Sequence, residues 1–192
     1  MPTPDKRMAA VLYGQAMEAA RMSENYAEAI QLFTEALQYE PNNSPNSGAI
    51  YHNRGMAYSS LERWREAISD FSRAISLSLH PSAFEQRGMA YYQIGDKDSA
   101  FKDWQQALLM DPRRTLSMVN LAWIAIEEGQ FPQAIELCSL AISYEPTSAK
   151  AYENRARAYL EMGDQTRGLA DLQSARELVA SGRDTSDIDS SE

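Results

Sequence analysis

The sequence predicts an all-α solenoid built from five stacked helical hairpins. Three observations carry this. Alanine recurs at Ala36, Ala74, Ala107, Ala141 and Ala175, at spacings of 38, 33, 34 and 34 residues. A second small-residue series, Ala29, Ala67, Ala100, Ala134 and Gly168, runs seven residues ahead of it. Between these markers apolar residues return every three or four positions, the period of one helix face. A fixed repeat of this length is the signature of a stacked array.

Each unit divides into two apolar-periodic segments joined by a short turn. Glu62-Arg63 and Ile94-Gly95-Asp96 are examples. The expected helices cover 8–22, 26–39, 48–61, 64–77, 82–94, 97–110, 115–128, 131–143, 149–162 and 165–179. The recurring Ala and Gly let two antiparallel helices approach closely. Pro41, Pro112 and Pro146 end three units, and Pro81 sits near the end of another. The wider first spacing follows Pro41, where Asn42 to Gly48 are turn formers. A longer loop inside the array is expected there. Residues 1–7 read as a flexible N-terminus and 8–180 as the array. Its repeats are 10–41, 48–80, 81–114, 115–148 and 149–180. Residues 181–192 are Ser/Asp-rich and read as a disordered acidic tail.

Taking Ala10, Gly48, Pro81, Thr115 and Ala149 as first residues, the second unit shows Tyr51, Gly55, Tyr58, Ala67, Phe71 and Ala74. The third shows Phe84, Gly88, Tyr91, Ala100, Trp104, Ala107 and Pro112, and the fifth Tyr152, Ala156, Tyr159, Gly168, Leu172 and Ala175. The first and fourth units are looser. This pattern over about residues 8–180 resembles the tetratricopeptide-repeat (TPR) family. The resemblance implies a right-handed superhelix whose first helices line a concave groove. It implies a protein or peptide ligand in that groove, and no catalysis.

Composition narrows the partners. A net charge of −9 argues against nucleic acid and anionic membranes. No stretch approaches the roughly 20 apolar residues of a membrane span. The single cysteine, Cys138, forms no intrachain disulfide, and a cytoplasmic setting is expected. It occupies a helix-packing place and reads as an inert thiol. His52 and His80 have no Cys or His at metal-ligand spacing, so no metal, cofactor or catalytic site is expected.

Place seven of units two, three and five is Arg54, Arg87 and Arg155, and place twenty-three of the same units is Asp70, Asp103 and Asp171. Units one and four have neither, pairing Ala16 with Leu32 and Leu121 with Leu137. The joint appearance predicts an ion pair across each of those hairpins.

Two features mark the expected groove. Place six is an amide in every unit: Gln15, Asn53, Gln86, Asn120 and Asn154. An amide donates and accepts, so it suits an extended peptide backbone. The resemblance extends to the asparagine ladders of peptide-binding TPR proteins. The second feature is apolar. Unit four is expected to present Leu116, Val119, Trp123 and Ile126, and unit three Met89 and Tyr92, as an interface patch. The charges Glu18, Arg21, Glu85, Glu127, Lys150, Glu153, Arg157 and Glu161 read as a solvated groove face. The family's clamp for acidic chaperone C-termini fits poorly: units one to three offer Gly14, Glu18, Asn53, Ser82 and Gln86, where only Asn53 matches, and units three to five offer Glu85, Met89, Asn120, Lys150 and Asn154, where two of five match. Leu169, Leu172, Leu178 and Val179 on the last helix leave a C-terminal edge for a homodimer. The expected function is therefore an interaction scaffold or adaptor. A chaperone-like shield for an apolar client segment and a structural homo-oligomer are its alternatives.

Overall fold

A computed structural model describes residues 6–22, 24–40 and 44–184. Among these residues the secondary structure is helical, with α1 Lys6–Met22, α2 Tyr26–Tyr39, α3 Pro45–Ser60, α4 Trp64–Leu77 and α5 Pro81–Gln93. They are followed by α6 Lys97–Met110, α7 Thr115–Glu127, α8 Phe131–Tyr144, α9 Ala149–Glu161 and α10 Gln165–Ala180. The chain forms two compact units, Met1–Ala100 and Phe101–Glu192, with the division inside α6.

In the first unit, α1 pairs with α2 and α3 with α4, while α3 packs on α2 and α5 on α4. Leu12, Ala16, Ala29, Phe33 and Ala36 form the core of the first hairpin. Ala67, Phe71 and Ala90 join the second hairpin to α5. In the second unit, α7 pairs with α8 and α9 with α10, and α9 also meets α8 and α7. The alanine series is what closes these seams: Ala134, Ala141, Ala151, Ala156 and Ala158 have no exposed surface.

Three ends differ from expectation. Lys6 and Arg7 belong to α1 rather than to a flexible start. Helix α3 begins at Pro45, so Asn46 to Gly48 are helical and not loop. Ser44 caps it, its Oγ accepting from the Ser47 N–H at 3.1 Å, and Pro45 fills the first helical position without losing a bond. Ser181 to Asp184 are also placed. Asp184 Oδ1 accepts from the Ala149 N–H at 2.9 Å, which caps the start of α9. Residues 1–5 and 185–192 lie outside the described residues.

The ion pairs form as the spacing predicts in α3–α4 and α9–α10. Arg54 grips Asp70 with two bonds of 2.7 and 2.8 Å, and Arg155 grips Asp171 at 2.8 and 2.9 Å. Of the third pair, Arg87 lies in the first unit and Asp103 in the second. Each arginine has a further use that the sequence reading missed. Its Nη1 reaches a hydroxyl on the second helix of the preceding hairpin: Arg54 to Thr34, Arg87 to Ser72 and Arg155 to Ser139, at 2.9, 2.9 and 3.0 Å. These hydroxyls stand at place twenty-five of units one, two and four. The third unit has Gln105 there, and the unit that follows it has Leu121 instead of Arg. In α3–α4 and α9–α10 arginine, aspartate and hydroxyl therefore form a three-part latch with a readable signature.

The turn inside each hairpin is also shared. Place fifteen is Glu24, Glu62, Gly95, Gly129 and Gly163, and all five have φ between 46° and 84°. Glycine takes this left-handed conformation freely, and glutamate does so at a cost. Glu62→Gly is expected to raise stability by about 0.5–1 kcal/mol, measured by thermal unfolding. A loss of stability would show that the Glu62 side chain outweighs the strain.

Candidate functional site

Helix α7, TLSMVNLAWIAIE, is apolar nearly all round, and its surroundings explain this. Met118 and Val119 pack with Ala141 of α8 and Ala151 of α9. Ala122, Ala125 and Ile126 pack with Ala134, Cys138 and Ala158. Val119 and Ile126, expected on the exposed patch, are therefore core residues, 4% and 5% exposed. Helical geometry gives the reason. Residues 116, 120, 123 and 127 make one row, and 119 and 126 make the neighbouring row turned toward α9.

The row that remains open holds Leu116, Asn120 and Trp123, each half-buried. From α9 the exposed Arg157 lays its guanidinium over the Trp123 ring, 4.8 Å from the centroid. Trp123 and Arg157 occupy place nine of successive units, so the sequence held the signal for this stack. Arg157, expected on a solvated groove face, instead covers this ring.

The amide series divides by role. Asn154 is 6% exposed and donates its Nδ2 to the Val119 carbonyl at 3.1 Å. It ties α9 to α7 rather than facing an open groove. Asn53 donates to Tyr13 Oη at 2.8 Å and to the Ala49 carbonyl at 3.0 Å, tying α3 to α1. Burial pushes the Tyr13 phenol above its ordinary pKa. Asn120 is different: its Nδ2 is buried with no hydrogen-bond partner. An orphaned buried donor costs roughly 1–3 kcal/mol.

In the first unit Gln86, Met89 and Tyr92 are half-buried on α5. Gln93 Nε2 donates to Met89 Sδ at 3.9 Å, and Lys97 Nζ stands 5.9 Å from the Tyr92 ring centroid. Glu85, read as a solvated charge, is 1% exposed. His80 caps α5 through Nδ1, which accepts from the Ser82 N–H at 3.3 Å.

Nothing among the described residues gathers three metal-ligating side chains, and no helix is long and apolar enough to cross a membrane. The Cys138 thiol is buried, and that burial pushes its pKa up to about 12. It is a packing atom and not a nucleophile.

Models of the tetratricopeptide repeat match residues 13–83, 52–115, 85–147 and 137–170. The chain belongs to the tetratricopeptide-repeat family. Human tetratricopeptide repeat protein 6 is 25% identical over 139 residues, which are 70% of this chain and 27% of that protein. Heat shock protein STI1 of Saccharomyces cerevisiae is 32% identical over 100 residues, 52% of this chain and 16% of the yeast protein. This TPR chain thus spans about a quarter or less of those relatives. Among solved structures, MamA residues 41 to the end from Desulfovibrio magneticus RS-1 superposes with a TM-score of 0.77 at 18% identity, covering 93% of this chain and 98% of that one. YrrB, described as a TPR protein with an unusual peptide-binding site, gives 0.69 at 18% identity over 91% of this chain and 88% of its own. These likenesses establish the fold class, an all-α solenoid of TPR hairpins.

Proposed function

We propose that this chain is a protein-interaction scaffold whose α7–α9 strip holds an extended segment of a partner protein. The orphaned Asn120 Nδ2 carries the reading. A peptide carbonyl supplies the missing acceptor, and binding then removes a cost that the free protein bears. Trp123 offers a ring for an apolar side chain of the same segment. Arg157, stacked on that ring, offers its guanidinium edge to a carboxylate. Leu116 extends the apolar contact by one turn. In the first unit Gln86, Met89 and Tyr92, half-buried on α5, form a separate candidate contact surface. A reducing compartment such as the cytoplasm suits the single, buried Cys138.

The test is a peptide selected against the whole chain from a random library, then titrated with variants. Asn120→Ala is expected to weaken binding about tenfold while leaving the fold as stable or more so, since it deletes an unsatisfied donor. Trp123→Ala is expected to weaken it at least as much. Unchanged affinity in both variants would refute the strip as the binding site.

Self-association is the second reading. Leu169 and Val179 on α10 are 59% and 58% exposed. A monomer by sedimentation across the titration concentrations disposes of it. The third reading, a shield for an apolar client, would show as preference for an amphipathic helix over an extended peptide of equal composition.

A further inference from the structure

A cavity of about 320 Å³ lies between α1, the end of α2 and α3, lined by Lys6, Ala9, Tyr13, Glu40, Asn46 and Ala49 among others. Glu40 is 5% exposed. One of its oxygens, Oε1, accepts from Ser44 Oγ at 2.6 Å. Lys6 reaches the rim, yet no Lys or Arg among the described residues forms an ion pair with this carboxylate. A buried carboxylate without a cation is costly unless something completes it.

The repeat register explains how the opening arises. Glu40 stands at place thirty-one of the first unit, and the same place of the fourth unit is Glu145. There the carboxylate accepts a hydrogen bond from Thr115 Oγ1, at place one. Place one of the first unit is Ala10, which has no hydroxyl and lines the cavity. The carboxylate that accepts from a place-one hydroxyl in the fourth unit accepts from Ser44 in the first and lines the cavity.

We propose that this cavity takes the cationic side chain of a lysine or arginine from a partner protein. Desolvated beside Glu40, an ammonium or guanidinium gains a charge-assisted hydrogen bond. The Tyr13 ring favours a cation, and the alanine walls accept its aliphatic stem. The volume is at the small end for ligand pockets, which suits one side chain rather than a whole cofactor. A net charge of −9 draws basic segments toward the chain. The site stands in the first unit and is independent of the α7–α9 strip.

The experiment records amide spectra of the whole ¹⁵N-labelled chain against three probes: the Nα-acetyl methylamides of lysine, arginine and norleucine. Saturable shifts at Asn46, Ala49 and Ile50 are expected with at least one cationic probe and not with norleucine. Glu40→Gln keeps the shape and the Ser44 bond while removing the charge. Ala10→Thr restores the missing hydroxyl and fills the space, and it serves independently should the first variant misfold. Each is expected to weaken binding at least about tenfold. Equal binding by norleucine, full binding in a folded Glu40→Gln variant, or no saturable shift with either cation would overturn the proposal.

Discussion

Phe71→Ala is expected to cost about 4 kcal/mol, the largest single-site loss in the first unit. The ring has no exposed surface and clusters with Ala67 and Ala90, and Met56, Tyr58, Trp64 and Ile68 pack against that cluster. It also meets His52 at a centroid distance of 5.6 Å. Its position is set by Gly55 across the hairpin. A Cβ built on Gly55 would lie 2.8 Å from the Phe71 ring, closer than real contacts allow. Gly55→Ala alone should therefore destabilise, by about 1–3 kcal/mol, although alanine is the better helix former. The sign is expected to reverse in the Phe71→Ala background. With the ring gone the clash is gone, and the alanine then gains up to about 1 kcal/mol of helix propensity. A double-mutant cycle by urea unfolding reads this coupling. Additive losses would mean that α3 and α4 shift apart to admit the methyl. Gly168→Ala should cost at least as much, because the added Cβ would lie 2.6 Å from Leu160 Cγ and Cδ2 and 3.3 Å from the Ala156 carbonyl oxygen.

Asp171→Leu is expected to cost about 3 kcal/mol, and Arg155→Leu a similar amount, while the double replacement should come within about 1 kcal/mol of the parent. Arg155 and Asp171 have side-chain exposures of 19% and 10%. Their two bonds replace water that neither group can recover when its partner is cut away. The hydrogen bond to Asp171 also raises the Arg155 guanidinium above its ordinary pKa. The chain contains its own precedent for the double variant, since unit four holds Leu121 and Leu137 at the same two places. Leu121 is 6% exposed, and Leu137 packs against the Cys138 cluster. If the double variant loses as much as the two single ones together, the pair is a net source of stability rather than a matched set. Circular dichroism during urea unfolding decides between these outcomes.

The sequence by itself determined the hairpins, their register and the Arg–Asp pairs of α3–α4 and α9–α10. All three follow from spacing: a helix repeats every 3.6 residues, so residues sixteen apart across a short turn face each other in an antiparallel hairpin. It also carried two signals that went unread, the place-twenty-five hydroxyls and the Trp123–Arg157 column. Tertiary structure alone decided the rest. An amphipathic helix announces its buried side, but α7 is apolar on nearly every side, so its sequence gives no direction. Only the neighbours show that Val119 and Ile126 are covered while Leu116, Asn120 and Trp123 stay open. The amides illustrate the same point. Asn120 and Asn154 are identical in type and place, yet one is spent on the Val119 carbonyl and the other is left without a partner. Likewise Glu40 and Glu145 differ by whether alanine or threonine stands opposite. Hydrogen-bond satisfaction belongs to a pair of atoms, and the second atom of each pair lies on another helix.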